Sequence, residues 1–176
     1  MQSWDEAFKD FGQYGQVLAE HSFLHSHVLM KESDRAVGVL APAFLDSILE
    51  ELLRVVLAKV ASTETLLRDQ GPLGTFSSRI DMARSLNLID DDAWRDLHLF
   101  RKIRNDFAHS VHMHGFAEPE IAARCRELRT PYRYGPEKPD HGPRMQFLFA
   151  MWTVVTEVGE AMSNAVKKVR HSVDGA

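Results

Sequence analysis

Apolar residues along this chain recur every three or four positions, and no stretch alternates singly as a half-buried strand would. The pattern predicts helices throughout. Ser3 to about Gly12 reads as a short helix capped by Ser3, and about Gln16 to Lys31 as a second carrying Val17, Leu18, Phe23, Leu24 and Val28. Asp34 is positioned to cap a long third helix reaching Val60. Its stripe Val37, Leu40, Phe44, Ile48, Leu52 and Val55 is widened by Leu45, Leu49, Leu53, Val56 and Leu57. Only a narrow polar edge remains, with Glu50 and Arg54 at pairing distance on it. A helix this apolar belongs at the centre of a bundle or in an oligomer interface. Pro42 marks a kink or the true start of the helix.

Shorter elements follow. Thr63 to Gln70 forms a helix stopped by Gly71-Pro72, and Thr75 or Ser77 caps the next, which holds Ile80, Met82, Ala83 and Leu86. Gly-Pro-Leu-Gly-Thr lacks the Gly-Lys-Ser/Thr ending of a phosphate loop and no strand precedes it. Pro119 opens a short helix with Ile121, Cys125 and Leu128 on one side, where Cys125 reads as a small core residue. Residues 130–143 hold four of the seven prolines and form a loop. Arg144 to about Arg170 keeps a 3–4 spacing through Leu148, Met151, Trp152, Val155, Val158, Met162, Ala165 and Val169. The result is an all-α bundle of about seven helices in one domain, residues 1–176.

The stretch DDDAWRDLHLFRKIRNDFAHS, Asp90 to Ser110, concentrates the candidate chemistry. Three aspartates start a helix, because carboxylates accept from its free N–H groups and suit its positive end. Ala93, Leu97, Phe100 and Phe107 define the apolar face, and Arg104, seven residues after Leu97, falls in its middle. A buried arginine keeps its charge and demands an anionic or carbonyl partner. With Asn105 and His109 it sets a cation, an amide and an imidazole within six residues: either a chemical site or a well-satisfied helix end.

Composition narrows the classes. One cysteine excludes an internal disulfide framework and fits a reducing cytoplasm. The start, Met-Gln-Ser-Trp-Asp-Glu, lacks the basic and apolar regions of a secretory signal, and no apolar run approaches the ~20 residues of a membrane span. His21 and His25 stand at metal-ligand spacing with no carboxylate motif beside them, so neither metal nor cofactor is expected. Residues 1–60 carry the whole net charge of −4, which assigns any nucleic-acid contact to the second half. There, residues 124–144 hold six Lys/Arg against three acids. Arg129, Tyr132, Arg133 and Tyr134 suit single-stranded nucleic acid or a protein partner, or else a solvated loop.

LDSILEELLRVVL, PLGTFSSRIDMARSLNLI, LHLFRKIRNDFAHS and IAARCRELR, within about residues 34–130, together resemble the mannitol operon repressor family. The resemblance implies a small bacterial helical repressor of mannitol uptake and use. The chain shows no helix-turn-helix with a basic recognition helix, no zinc finger and no basic zipper. Repression through protein partners or atypical nucleic-acid contacts is therefore the expectation. RNDFAH is also similar to the R-x4–6-H signature of HEPN domains, helical bundles that often dimerise and, when active, cut RNA without metal. That likeness implies His109 as general acid/base on the 2′-hydroxyl and leaving oxygen, Arg104 stabilising the phosphorane and Asn105 orienting the pair. Five helical residues turn about 140°, so the two side chains of one copy diverge, and the likeness implies a homodimer that brings both copies into one cleft. Many such domains only bind, and a non-enzymatic regulator is the leading expectation. A structural alternative pairs Arg104 with Asp81 or Glu50 to lock helices together.

Overall fold

The computed structural model describes residues 28–109, 115–130 and 142–174, and every long element among them is a helix. Six helices run α1 (Asp34–Val56), α2 (Ala61–Leu67), α3 (Phe76–Ser85), α4 (Asp91–His109), α5 (Pro119–Arg126) and α6 (Gly142–Asp174). Residues 28–31 are also helical. The helix expected over Ser3–Gly12, most of the next one, and His21 and His25 lie outside the described residues. The architecture is the expected all-α bundle.

Local chemistry sets the boundaries. Ser33, not Asp34, caps α1: its hydroxyl accepts from the Ala36 N–H at 3.2 Å. Asp34 is thereby free to join distant segments, accepting from the Phe116 N–H at 2.9 Å and from the Arg144 guanidinium. That guanidinium also donates to the carbonyls of Leu29 and Glu32, closing the end of the 28–31 helix. α1 ends at Val56, four residues short of expectation, because Leu57 turns extended and the Thr63 hydroxyl holds the Ala58 carbonyl at 2.6 Å. α2 consequently spans Ala61–Leu67 instead of Thr63–Gln70. Thr75 and Ser78 form a reciprocal capping box on α3. Asn87, at φ +54°, ends that helix in the left-handed region, and the Leu88 N–H closes onto the Ala83 carbonyl. Pro42 lies inside α1, neither opening it nor ending it. The last helix starts at Gly142, two residues before Arg144.

α1 is the central helix, packed on α6, α4 and α3. Its buried residues run Val37, Ala41, Leu45, Ile48, Leu49, Leu52 and Leu53, whereas Leu40, expected in the stripe, is 46% exposed. Gly38 lets α1 meet α4 closely: a Cβ there would stand 2.1 Å from the Phe107 ring. Four phenylalanines tie the bundle across segments. Phe107 packs on Phe116, Phe116 on Phe147 and Phe147 on Phe100, with ring centroids 5.1, 4.9 and 4.6 Å apart. Leu53, Leu67 and Leu73 form a smaller cluster beneath the turn after α2.

Two polar anchors complete the frame. Arg79 of α3, 6% exposed, reaches Asp46 at 2.7 Å and Glu50 at 2.8 Å on α1. Glu50 also takes Arg54, the expected i,i+4 pair, at 2.7 Å. Asp96, fully buried on α4, accepts from the backbone N–H of Arg129 and Thr130 and from the Thr130 hydroxyl. It thereby holds the exit of α5 against α4.

Candidate functional site

α4 carries two faces. The inner one, Ala93, Asp96, Leu97, Leu99, Phe100, Ile103 and Phe107, is buried. Asp90 starts the helix as expected, its carboxylate accepting from the Ala93 N–H at 2.9 Å. The outer face runs through Trp94, His98, Arg101 and Lys102, at steps of four, three and one. Helical geometry sets Trp94 beside His98, and His98 beside both Arg101 and Lys102 one turn on.

A groove of about 330 Å³ is lined by Trp94, Arg95, His98, Leu99, Arg101, Lys102 and Glu127. Asp81 of α3 fixes its rim, accepting from the Trp94 indole N–H at 2.9 Å and pairing with His98 Nε2 at 3.1 Å. The indole N–H bond, then His98, holds the Asp81 carboxyl below its ordinary range. Trp94 and His98 meet edge to face with ring centroids 5.0 Å apart, so the exposed indole is held in place. Arg95 donates to both the carbonyl and the carboxylate of Glu127. The two carboxylates near the groove are thus engaged. Among the described residues the charged heads of Arg101 and Lys102 make no hydrogen bond or ion pair, although Arg101 lies within electrostatic reach of Asp81, and the Arg101 Nε is buried without a hydrogen bond.

The residues singled out in the sequence lie elsewhere. Arg104, Asn105 and His109 occupy the last turns of α4; Arg104 is half-buried, and Asn105 and His109 are exposed. Arg104 is not in the middle of the buried face. Asp96, Leu99 and Ile103 extend that face to one side, which leaves Arg104 roughly 60° from its centre at 100° per residue. Nor does it pair with Asp81 or Glu50, whose carboxylates serve Trp94 and His98, and Arg54 and Arg79. The arginine that locks helices is Arg79. Asp106, between Asn105 and Phe107, pairs with Arg124 and joins α4 to α5. Arg129 pairs with Asp92 at 3.1 Å, while Tyr132, Arg133 and Tyr134 lie outside the described residues.

Cys125 is buried, and burial pushes its thiol up to about 12, which leaves it no thiolate for nucleophilic chemistry near neutrality. Among the described residues no three side chains of metal-ligating type converge, and no helix is long and apolar enough to cross a membrane. The Trp94–His98–Arg101–Lys102 face was missed in sequence, although an aromatic with an imidazole at i+4 and permanent charges at i+7 and i+8 was there to be read.

Residues 36–152, from α1 to the first third of α6, match the family model described as mannitol repressor. The fold is similar to that of a chain in the X-ray structure of the MtlR–HPr complex from Escherichia coli. The TM-score is 0.53 at 21% identity, covering 82% of this chain and 97% of that one. No curated protein matches the chain in sequence.

Proposed function

The chain belongs to the mannitol repressor family, and we propose that it regulates sugar-alcohol genes by binding a protein partner. The observation that carries this reading is the family match itself, which takes in nearly all of α1, α2 to α5 and the first third of α6, and so the whole frame around the α4 groove. The Escherichia coli structure is of a complex with HPr, which makes a protein of that kind the first partner to test. The sequence contributes a negative observation: it contains no recognisable DNA-reading motif. The direct test mixes the purified chain with the HPr-type protein of the same organism and measures binding by calorimetry, beside transcript levels of the mannitol genes in a deletion strain. Saturable binding with altered transcripts is expected. No binding together with unchanged transcripts would overturn the reading.

A second reading has its own observation. Arg104, Asn105 and His109 have no side-chain partners among the described residues, so the fold does not consume them as a helix lock. A metal-independent ribonuclease with His109 as acid/base and Arg104 on the phosphorane would use such free groups, with a second copy in a homodimer completing the cleft. Its test is cleavage of a mixed RNA pool in EDTA by wild type, Arg104→Ala and His109→Ala. For a catalytic role, both variants lose cleavage while keeping their melting temperature. Stability separates this from the structural alternative: with no partner among the described residues to orphan, Arg104→Ala should change unfolding free energy by no more than ~0.5 kcal/mol.

A further inference from the structure

We propose that the groove on the outer face of α4 binds single-stranded nucleic acid, with Trp94 stacking on a base and Arg101 and Lys102 holding phosphates. The site is independent of the partner reading and of Arg104 and His109, and either can fail without it.

Charge comes first. The chain is acidic overall, yet the outer face of α4 from Arg95 to Lys102 carries three permanent cations and His98. The carboxylates within reach are taken, Glu127 by Arg95 and Asp81 by Trp94 and His98. Arg101 meets Asp81 only through space and Lys102 makes no ion pair among the described residues, so the groove keeps an excess of positive charge that a bound polyanion relieves. Stacking comes second. Trp94 is 37% exposed, but its N–H is bonded to Asp81 and its edge is fixed against His98. A large aromatic held rigidly at a cationic groove stacks on an unpaired base with little ordering cost, and such contacts are sequence-tolerant.

Shape selects single strands. Arg95, His98 and Arg101 are only half exposed, and α3 and the exit of α5 flank the helix. α4 therefore does not project as the free ridge that enters a duplex groove. At about 330 Å³ the cleft falls at the small end of the ~300–1,000 Å³ range of small-ligand sites. It suits a nucleotide better than an acidic protein surface.

The test is fluorescence anisotropy of a labelled DNA single strand of about twelve nucleotides, titrated with the full chain from ~50 to ~200 mM salt. DNA is used so that no 2′-hydroxyl chemistry intrudes. Wild type should bind with an affinity that falls as salt rises. Arg101→Gln and Lys102→Gln should each flatten the log–log salt slope by about 0.7, one phosphate's worth. Trp94→Ala should weaken binding ~10-fold with the slope unchanged, and Trp94→Phe should recover most of that loss. Lys59→Gln, which removes the same charge from the loop after α1, should leave binding as in wild type. Each variant is checked by thermal melting, and the Trp94→Phe rescue protects the test against a misfolded alanine variant. No binding at ~50 mM salt would overturn the proposal. So would variants that bind as wild type does, a duplex bound as tightly as the single strand, or equal displacement by polyglutamate, which would mark an acidic-protein site.

Discussion

Arg79 shows what one residue decides in this fold. Its side chain is 7% exposed, and the guanidinium spans from α3 to Asp46 and Glu50 on α1, with the Leu67 carbonyl at 3.4 Å. Arg79→Ala leaves two carboxylates facing each other without their cation. We expect a loss of about 2–4 kcal/mol in urea unfolding, at the lower end because water reaches both acids. Asp96 and Asp81 give an opposite pair of pH signatures. Burial raises Asp96 above its ordinary 3.8 despite the N–H and hydroxyl donors around it. Its contribution to stability is then largest below that value and declines as pH rises through the folded value. The indole N–H bond lowers Asp81, so its contribution is present above 3.8 and is lost as pH falls through its lower folded value. Carboxyl-carbon NMR should find Asp96 titrating at higher pH than Asp81; the reverse order would show that the buried cap or the indole bond is not formed in solution. From sequence, Asp96 was simply one more polar position, since nothing local says that Arg129 and Thr130, 33 and 34 residues on, will supply its donors.

At the scale of elements, the interface between α1 and α4 depends on a missing side chain. Gly38→Ala places a methyl group 2.1 Å from the Phe107 ring, and the ring is locked between α1 and Phe116. The two helices must part or the ring must leave its rotamer, at about 1–3 kcal/mol. The lower melting temperature should be partly recovered by adding Phe107→Leu, because the smaller side chain returns the space. The helices themselves were legible. The 3–4 spacing placed all six of those described, Thr75 and Pro119 were recognisable starts, and Asp90 was a recognisable cap. Their ends were harder to read. α1 stops at Val56 through a hydroxyl on the following helix, a contact between elements that periodicity does not contain.

For the molecule as a whole, the phenylalanine chain is the test of cooperativity. Phe147 of α6 touches Phe100 of α4 and Phe116 before α5, so it joins three parts of the bundle. Phe147→Ala should cost ~3–5 kcal/mol, seen as a lower urea midpoint at unchanged slope. A changed slope or a second transition would mean that α6 unfolds apart from the rest. At this scale too, the acidity of residues 1–60, already visible along the chain, stands apart from the cationic outer face of α4, which only the fold assembles.

Sequence alone determined the helical class, the positions of the helices and membership of a recognisable family, because periodicity and capping are local and the family's segments are contiguous. Tertiary structure decided which charged groups are buried and which are free. An ideal helix wheel puts Arg104 on the face of Leu97, but the direction from which α1 and the neighbouring helices pack rotates that face toward Asp96, Leu99 and Ile103. The same packing sinks Arg79 between two acids and turns Trp94, His98, Arg101 and Lys102 outward as one groove. Periodicity shows that a helix has an inside; only its neighbours show where that inside begins and ends.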